Sequence, residues 1–153
     1  MYISTEVFEA DQPLLLDVPA KLSGSLAAGA QMSRGSVVST LHAAATKTDA
    51  EDAFFVADLG EVQRQFVQWT QLLPRVQPFF AVKCNPDPLV VKLLARLGAG
   101  FDCASKAELQ QVLDEGIAAH NIIYAHPCKP ASHVRFAKAN GVEMMTFDNA
   151  DEL

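Results

Sequence analysis

Seven residues able to do chemistry stand directly after short apolar runs. Lys83 closes "PFFAVK", Asp102 and Ser105 lie in "GFDCAS", His126, Cys128 and Lys129 follow "NIIYA", and Asp148 ends "VEMMTFD". An amine, carboxylates and thiols recurring at one point of a repeated unit suggest a single rim of functional groups. Lys83 is the sharpest case, because "FFAV" precedes it and Asn85-Pro86 breaks the chain just after it. A lysine at the mouth of an apolar strand is either solvated or held for covalent chemistry, and its amine can condense with a carbonyl. Taken singly, Asp102, Ser105 and Asp148 read as turn or cap residues. Ser105 with Glu108 also forms a complete S-x-x-E capping box.

The elements that must position these groups follow a rhythm. Apolar runs begin at residues 78, 100, 121 and 142, a repeat of about 21 residues, and each run up to the third is followed by a helix signal. Asp87-Pro88 opens "LVVKLLARLG" and Gly98 closes it; Ser105 opens "LQQVLDEG", ended by Gly116; "SHVRFAKANG" ends at Gly141. Short strands alternating with helices predict a parallel α/β sheet with right-handed crossovers. So compact a period suits a (β/α) barrel, and no GxGxxG follows any strand to suggest a dinucleotide fold. In such a barrel the chemistry sits at the C-terminal ends of the strands, where Lys83, Asp102, His126, Cys128, Lys129 and Asp148 all fall.

Upstream, "AFFVAD" (53–58) predicts a strand. Asp58 and Glu61 predict a capped helix burying Leu59, Val62, Phe66, Trp69 and Leu73 until Pro74 stops it, with Trp69 a core residue. "SVVSTLHAAATK" from Ser36 predicts a short helix with His42 at the surface, and the Ala/Gly/Ser-rich residues before it predict a flexible leader over 1–35, ahead of a barrel portion over 36–153.

The whole chain has 153 residues, is 50% hydrophobic and carries a formal charge of −6, which suits one globular domain and gives no basic footprint for nucleic acid or for anionic membrane surfaces. Residues 1–20 hold four acidic residues and no Lys or Arg, so no basic, apolar export signal is visible and a cytoplasmic location is expected. No apolar stretch reaches the length of a membrane-spanning helix. Cys84, Cys103 and Cys128 form no CxxC pair and are odd in number, which argues against a disulfide framework and against a structural metal site.

Four blocks, "PFFAVKCN", "GAGFDCASKAEL", "IIYAHPCKP" and "GVEMMTFDNADEL", resemble in order and spacing the N-terminal half of the eukaryotic ornithine decarboxylase family, from about Asp52 to Leu153. These are fold-type III pyridoxal-phosphate decarboxylases, with alanine-racemase-type barrels as more distant relatives. The resemblance implies the N-terminal part of a (β/α)8 barrel of alanine-racemase type, about four βα units. It implies that Lys83 holds pyridoxal 5'-phosphate, with Asp102 and Glu108 near that lysine and the cofactor as further catalytic candidates. It implies decarboxylation of L-ornithine to putrescine by a homodimeric full-length parent. It also implies docking of antizyme on residues 129–149, where Lys129, His133, Arg135 and Lys138 gather on an acidic chain. His126 and Phe80 depart from the family's usual Asn and Tyr. The sequence stops where a fifth βα unit would open its helix, so the expectation is a fragment inactive alone, without the parent's glycine-rich phosphate loop, ring-stacking histidine and ring-nitrogen glutamate. The alternatives are an antizyme-inhibitor-like binding protein that has lost the cofactor, and a diaminopimelate or arginine decarboxylase.

Overall fold

The computed structural model describes residues 2–4, 34–47 and 55–153, which fall in two units, 1–67 and 68–153. The predicted leader over 1–35 lies largely outside the described residues, as do Ala53 and Phe54 of "AFFVAD".

In the first unit, strand β1 (Tyr2–Ser4) pairs in parallel with β2 (Val56–Asp58), Ile3 opposite Ala57. Helix α1 (Arg34–Lys47) starts two residues before the predicted Ser36, and His42 is exposed on it as expected. Helix α2 (Leu59–Leu72) begins at the predicted cap, where the Asp58 carboxylate accepts the Glu61 N–H at 3.1 Å, and within this unit Leu59 is buried. Gln63 is buried on the same helix, where the apolar spacing pointed to none but apolar residues.

The second unit contains the last turn of α2, where one expectation fails. Trp69 is 42% exposed rather than core, and Leu72, Leu73 and Val76 around it are exposed as well. The indole N–H donates to the Val76 carbonyl at 2.9 Å, so the ring braces the turn that leaves the helix. Helical spacing identifies a shared face but not what covers it.

After that turn four strands form one parallel sheet in chain order: β3 (Phe79–Ala81), β4 (Gly100–Cys103), β5 (Ile122–Tyr124) and β6 (Met144–Met145). Register is direct, with Phe80 opposite Phe101, Asp102 opposite Ile123 and Tyr124 opposite Met145. Helices α3 (Pro88–Leu97), α4 (Lys106–Asp114) and α5 (Ala131–Ala139) make the crossovers. Each predicted punctuation mark does its work: Asp87 accepts the Leu89 N–H at 2.9 Å with Pro88 in the first turn, and Gly98, Gly116 and Gly141 follow the helices with φ of 89°, 78° and 75°. Those angles are open to glycine at little cost.

Strand alternation sorts the side chains. Phe101, Cys103, Ile122 and Tyr124 are buried with Val82, Leu93, Leu109 and Val112, while Asp102 and Ile123 occupy the opposite, less covered face. Each fully buried aliphatic or aromatic residue contributes about 1.5–3 kcal/mol by leaving water. At the foot of β4, the Phe79 ring lies where a side chain at Gly100 would begin, 2.7 Å from the ideal Cβ position, so any larger residue there requires the ring to shift. Four parallel strands joined by helices in this order form the N-terminal arc of a (β/α) barrel.

Candidate active site

Every strand of the second unit delivers its next residues to the same edge. After β3 the chain tightens into a 3-10 turn, Val82–Cys84, instead of continuing as strand through Lys83. Val82 is fully buried and anchors the turn, which leaves Lys83 exposed on it. The segment beyond is held from two sides. Asn85 Oδ1 accepts the Asp87 N–H at 3.2 Å, and Gln111 from α4 donates to the Pro86 carbonyl at 2.7 Å. Lys83 therefore stands on a fixed support, yet it makes no hydrogen bond or ion pair with the described residues.

Asp102 belongs to the neighbouring strand and pairs in register with Ala81, two residues before Lys83. The Asp102 Oδ1 is buried and has no hydrogen-bond partner among the described residues. A desolvated carboxylate oxygen without a donor is costly, so this atom is a marked position on the sheet's open face. Next to it, Cys103 is fully buried, and its thiol is pushed up to about 12, chiefly by desolvation and then by the charges of Glu108 and Asp102. It is a protonated core residue and no nucleophile.

Of the capping box predicted from Ser105 and Glu108 the first bond forms, while the return bond lands one residue before the cap. Ser105 Oγ accepts the Glu108 N–H at 3.2 Å, and Glu108 Oε2 accepts the Ala104 N–H at 2.7 Å. One carboxylate oxygen of Glu108 is thus committed to the start of α4. Asp148 is exposed and takes a hydrogen bond from Asn149, whose own side chain caps the 3-10 turn Ala150–Glu152, so Asp148 is a turn residue.

The loop after β5 holds a second lysine in the opposite state. The side chain of Lys129 is only 5% exposed, and its ammonium donates to the His126 carbonyl at 3.1 Å, the Thr146 carbonyl at 2.6 Å and Glu152 Oε2 at 2.5 Å. Its backbone N–H reaches Glu152 Oε1 at 2.8 Å. The Glu152 carboxyl is held below the usual carboxylate range, first by the Lys129 side-chain hydrogen bond and then by the Lys129 N–H. Burial, with a smaller contribution from the Glu152 charge, pushes the Tyr124 hydroxyl up. His126 Nδ1 accepts the Cys128 N–H at 3.0 Å, which closes the turn His126-Pro127-Cys128 and leaves the Cys128 thiol exposed.

These contacts correct the basic cluster expected over 129–138. Lys129 is buried and paired, and His133 sits half-buried with Nδ1 3.3 Å from the Tyr124 hydroxyl; Arg135 and Lys138 are the exposed cations of α5. Glu152 is not legible as a partner in the sequence, since no local pattern links residues 23 positions apart. Nor does the helical position of Gln111 hint at a carbonyl on the loop after β3, 25 residues away.

The donor set fits pyridoxal phosphate. A primary amine, exposed and unpaired among the described residues, is offered beside a sheet face that carries an unpartnered buried carboxylate oxygen, and the ligand brings an aldehyde with which such an amine condenses. Comparison with known proteins agrees. Residues 59–153 match the family described as pyridoxal-dependent decarboxylase, pyridoxal binding domain. The chain is 61% identical over 102 residues to an ornithine decarboxylase of Schizosaccharomyces pombe, covering 67% of this chain and 24% of that protein. It is 58% identical over 108 residues to antizyme inhibitor 2 of Xenopus laevis, covering 71% of this chain and 24% of that protein. The arginine decarboxylase structure from Paramecium bursaria Chlorella virus superposes with a TM-score of 0.70 at 38% identity, over 76% of this chain and 31% of that one. The chain thus spans about a quarter of the length of the curated relatives it matches. With its parallel βα arc and its strand-end lysine, it belongs to the pyridoxal-dependent decarboxylases, whose pyridoxal-binding domain it carries in residues 59–153.

Proposed function

We propose that the full-length protein carrying this domain decarboxylates L-ornithine to putrescine, with Lys83 as the residue that holds pyridoxal phosphate. The observation behind this reading is the contrast between two lysines at the strand ends. All three ammonium donors of Lys129 are engaged, whereas Lys83 is exposed, supported from beneath and unpaired among the described residues. The high identity to the Schizosaccharomyces pombe ornithine decarboxylase supports ornithine as the substrate.

When bound, pyridoxal phosphate supplies an electron-poor ring that takes up the electron pair left by departing CO2. The chain's own residues provide position and charge. Lys83 would hold the aldehyde end through Nζ, and Val82 and the Gln111–Pro86 contact fix the backbone that carries it. Asp102 would present the unpartnered Oδ1 to a cationic or N–H group of the ligand set, which would offset its desolvation penalty. Glu108 holds the Ala104 N–H and so fixes the chain directly after Asp102; its remaining oxygen is the third proposed polar group of the site. The aliphatic and aromatic residues under the sheet exclude water from its covered face.

Borohydride reduction of the full-length protein, followed by peptide mapping, should leave the pyridoxyl mass on Lys83, and Lys83→Ala should retain no reducible cofactor. Label on Lys106 or Lys129 would overturn the assignment. A second reading is a binding protein without catalysis, favoured by the 58% identity to the Xenopus laevis antizyme inhibitor 2. It predicts no cofactor on Lys83 at all, so the same reduction separates the two.

We further propose that antizyme docks on this region, with α5 presenting Arg135 and Lys138 to an acidic partner surface. Arg135→Glu with Lys138→Glu should slow antizyme association at low salt and flatten its salt dependence while decarboxylation is unchanged. Association kinetics identical to wild type would leave the two residues as a solvated helix face. A homodimer of the full-length protein and a cytoplasmic location complete this proposal; sedimentation and cell fractionation test them.

A further inference from the structure

We infer that Lys129 is a positioning residue for the strand-end rim, a buried cationic clasp that sets the spacing of the β5 and β6 ends and through them the floor beside the cofactor. The inference rests on the reading of that rim as a pyridoxal-phosphate site. Lys129 spends all three donors on acceptors from three separate places: the His126 carbonyl after β5, the Thr146 carbonyl after β6 and the Glu152 carboxylate on the following turn. Its own N–H takes the second Glu152 oxygen, so the pair is closed in both directions.

The clasp acts on the layer that carries the site. The Ala125 N–H reaches the Cys103 carbonyl at 2.8 Å and the Thr146 N–H reaches the Tyr124 carbonyl at 3.2 Å, so the ladder continues past the strands to the two points the ammonium holds. Asp102, Ile123 and Met144 form one register row, two residues before Ala125 and Thr146. A parallel ladder has no tight turn to fix the spacing of its strand ends, since each connection is a long crossover. The buried ammonium adds a constraint beyond the last ladder bonds, and the 5% exposure of its side chain keeps competing water away. Neither Lys129 nor Glu152 needs to touch the cofactor for this role. The charged and titratable groups around the pair are Tyr124, whose hydroxyl is raised partly by Glu152, and His126, whose charge would lower Glu152.

The test uses the full-length protein, freed of cofactor and titrated with pyridoxal phosphate. Lys129→Met keeps the length and removes the charge; Glu152→Gln keeps the shape and weakens the pair. Each should raise the cofactor Kd up to about tenfold, the size reached if the full cost of the lost buried contact is coupled to binding. The double variant should be no worse than Lys129→Met alone, and the visible circular dichroism of bound cofactor should change in all three. A lowered melting temperature with unchanged Kd and unchanged dichroism would overturn the inference and leave the clasp a matter of stability alone. If Lys129→Met fails to fold, Glu152→Gln decides by the same two readouts. Lys83→Ala serves as the control: cofactor binding and dichroism unaffected by that change would mean that the site reading itself has failed, whereas their loss with a silent clasp would overturn the clasp alone.

Discussion

Replacing Glu108 by Ala and by Gln separates its two proposed duties. Glu108 Oε2 accepts the part-buried Ala104 N–H at 2.7 Å, a short charge-assisted contact, and the returning bond from Glu108 N–H to Ser105 is longer at 3.2 Å. Removing the carboxylate leaves the Ala104 donor without its partner, which costs about 1 kcal/mol or more, and takes a negative charge from the first turn of α4, worth about 0.3–1 kcal/mol. Glu108→Ala should therefore destabilise by about 2 kcal/mol. Glu108→Gln keeps an acceptor at the same reach and loses chiefly the charge, so its cost should stay under about 1 kcal/mol. In a domain of 150–250 residues each kcal/mol moves the melting temperature by about 2–4 °C, so calorimetry should place Ala about 4–8 °C below wild type and Gln within about 4 °C of it. Cofactor titration of the same variants then reads the second duty. Kd unchanged in Glu108→Gln confines the residue to the cap, while a large rise in Kd at nearly native melting temperature identifies its carboxylate as part of the site. Equal melting temperatures for Glu108→Ala and wild type would refute the energetic argument.

Gly100→Ala puts a methyl group 2.7 Å from the Phe79 ring and should cost about 1–3 kcal/mol in urea unfolding. Adding Phe79→Leu should recover part of that loss, and strictly additive costs would show that the ring is not the obstacle. The Glu152 carboxyl is depressed in the folded protein, so its pair with Lys129 stabilises fully above the ordinary carboxylate pKa of about 4.3 and loses that contribution as pH falls through the folded value. The stability gap between wild type and Glu152→Gln should then narrow as pH falls below the ordinary carboxylate range, and a gap that does not narrow on acidification would contradict the assigned direction. Expressed alone, residues 1–153 should self-associate in sedimentation experiments. Trp69, Leu72, Leu73 and Val76 are exposed together, and β3 and β6 each pair on one edge among the described residues. A monomer with a sharp cooperative transition would disprove this.

Much of the site could be seen before the fold. The recurrence of apolar runs at one spacing, with Asp87-Pro88, Ser105/Glu108 and the three closing glycines between them, determined a parallel βα arc, because capping and left-handed glycine geometry are local and do not depend on what lies across the sheet. The same locality placed Lys83 and Asp102 at strand ends. Tertiary packing decided what those positions experience. Lys83 and Lys129 look alike in sequence, each a cation after an apolar run, yet one is exposed and unpaired among the described residues and the other is closed off by Glu152 and two carbonyls. Trp69 shared a helical face with buried residues and came out exposed, and His133, counted among surface cations, is turned toward Tyr124. Each of these outcomes depends on a neighbour brought near by the fold. Charge state, burial and pairing are properties of an environment, and the sequence pattern sets only the direction in which a side chain leaves its own element.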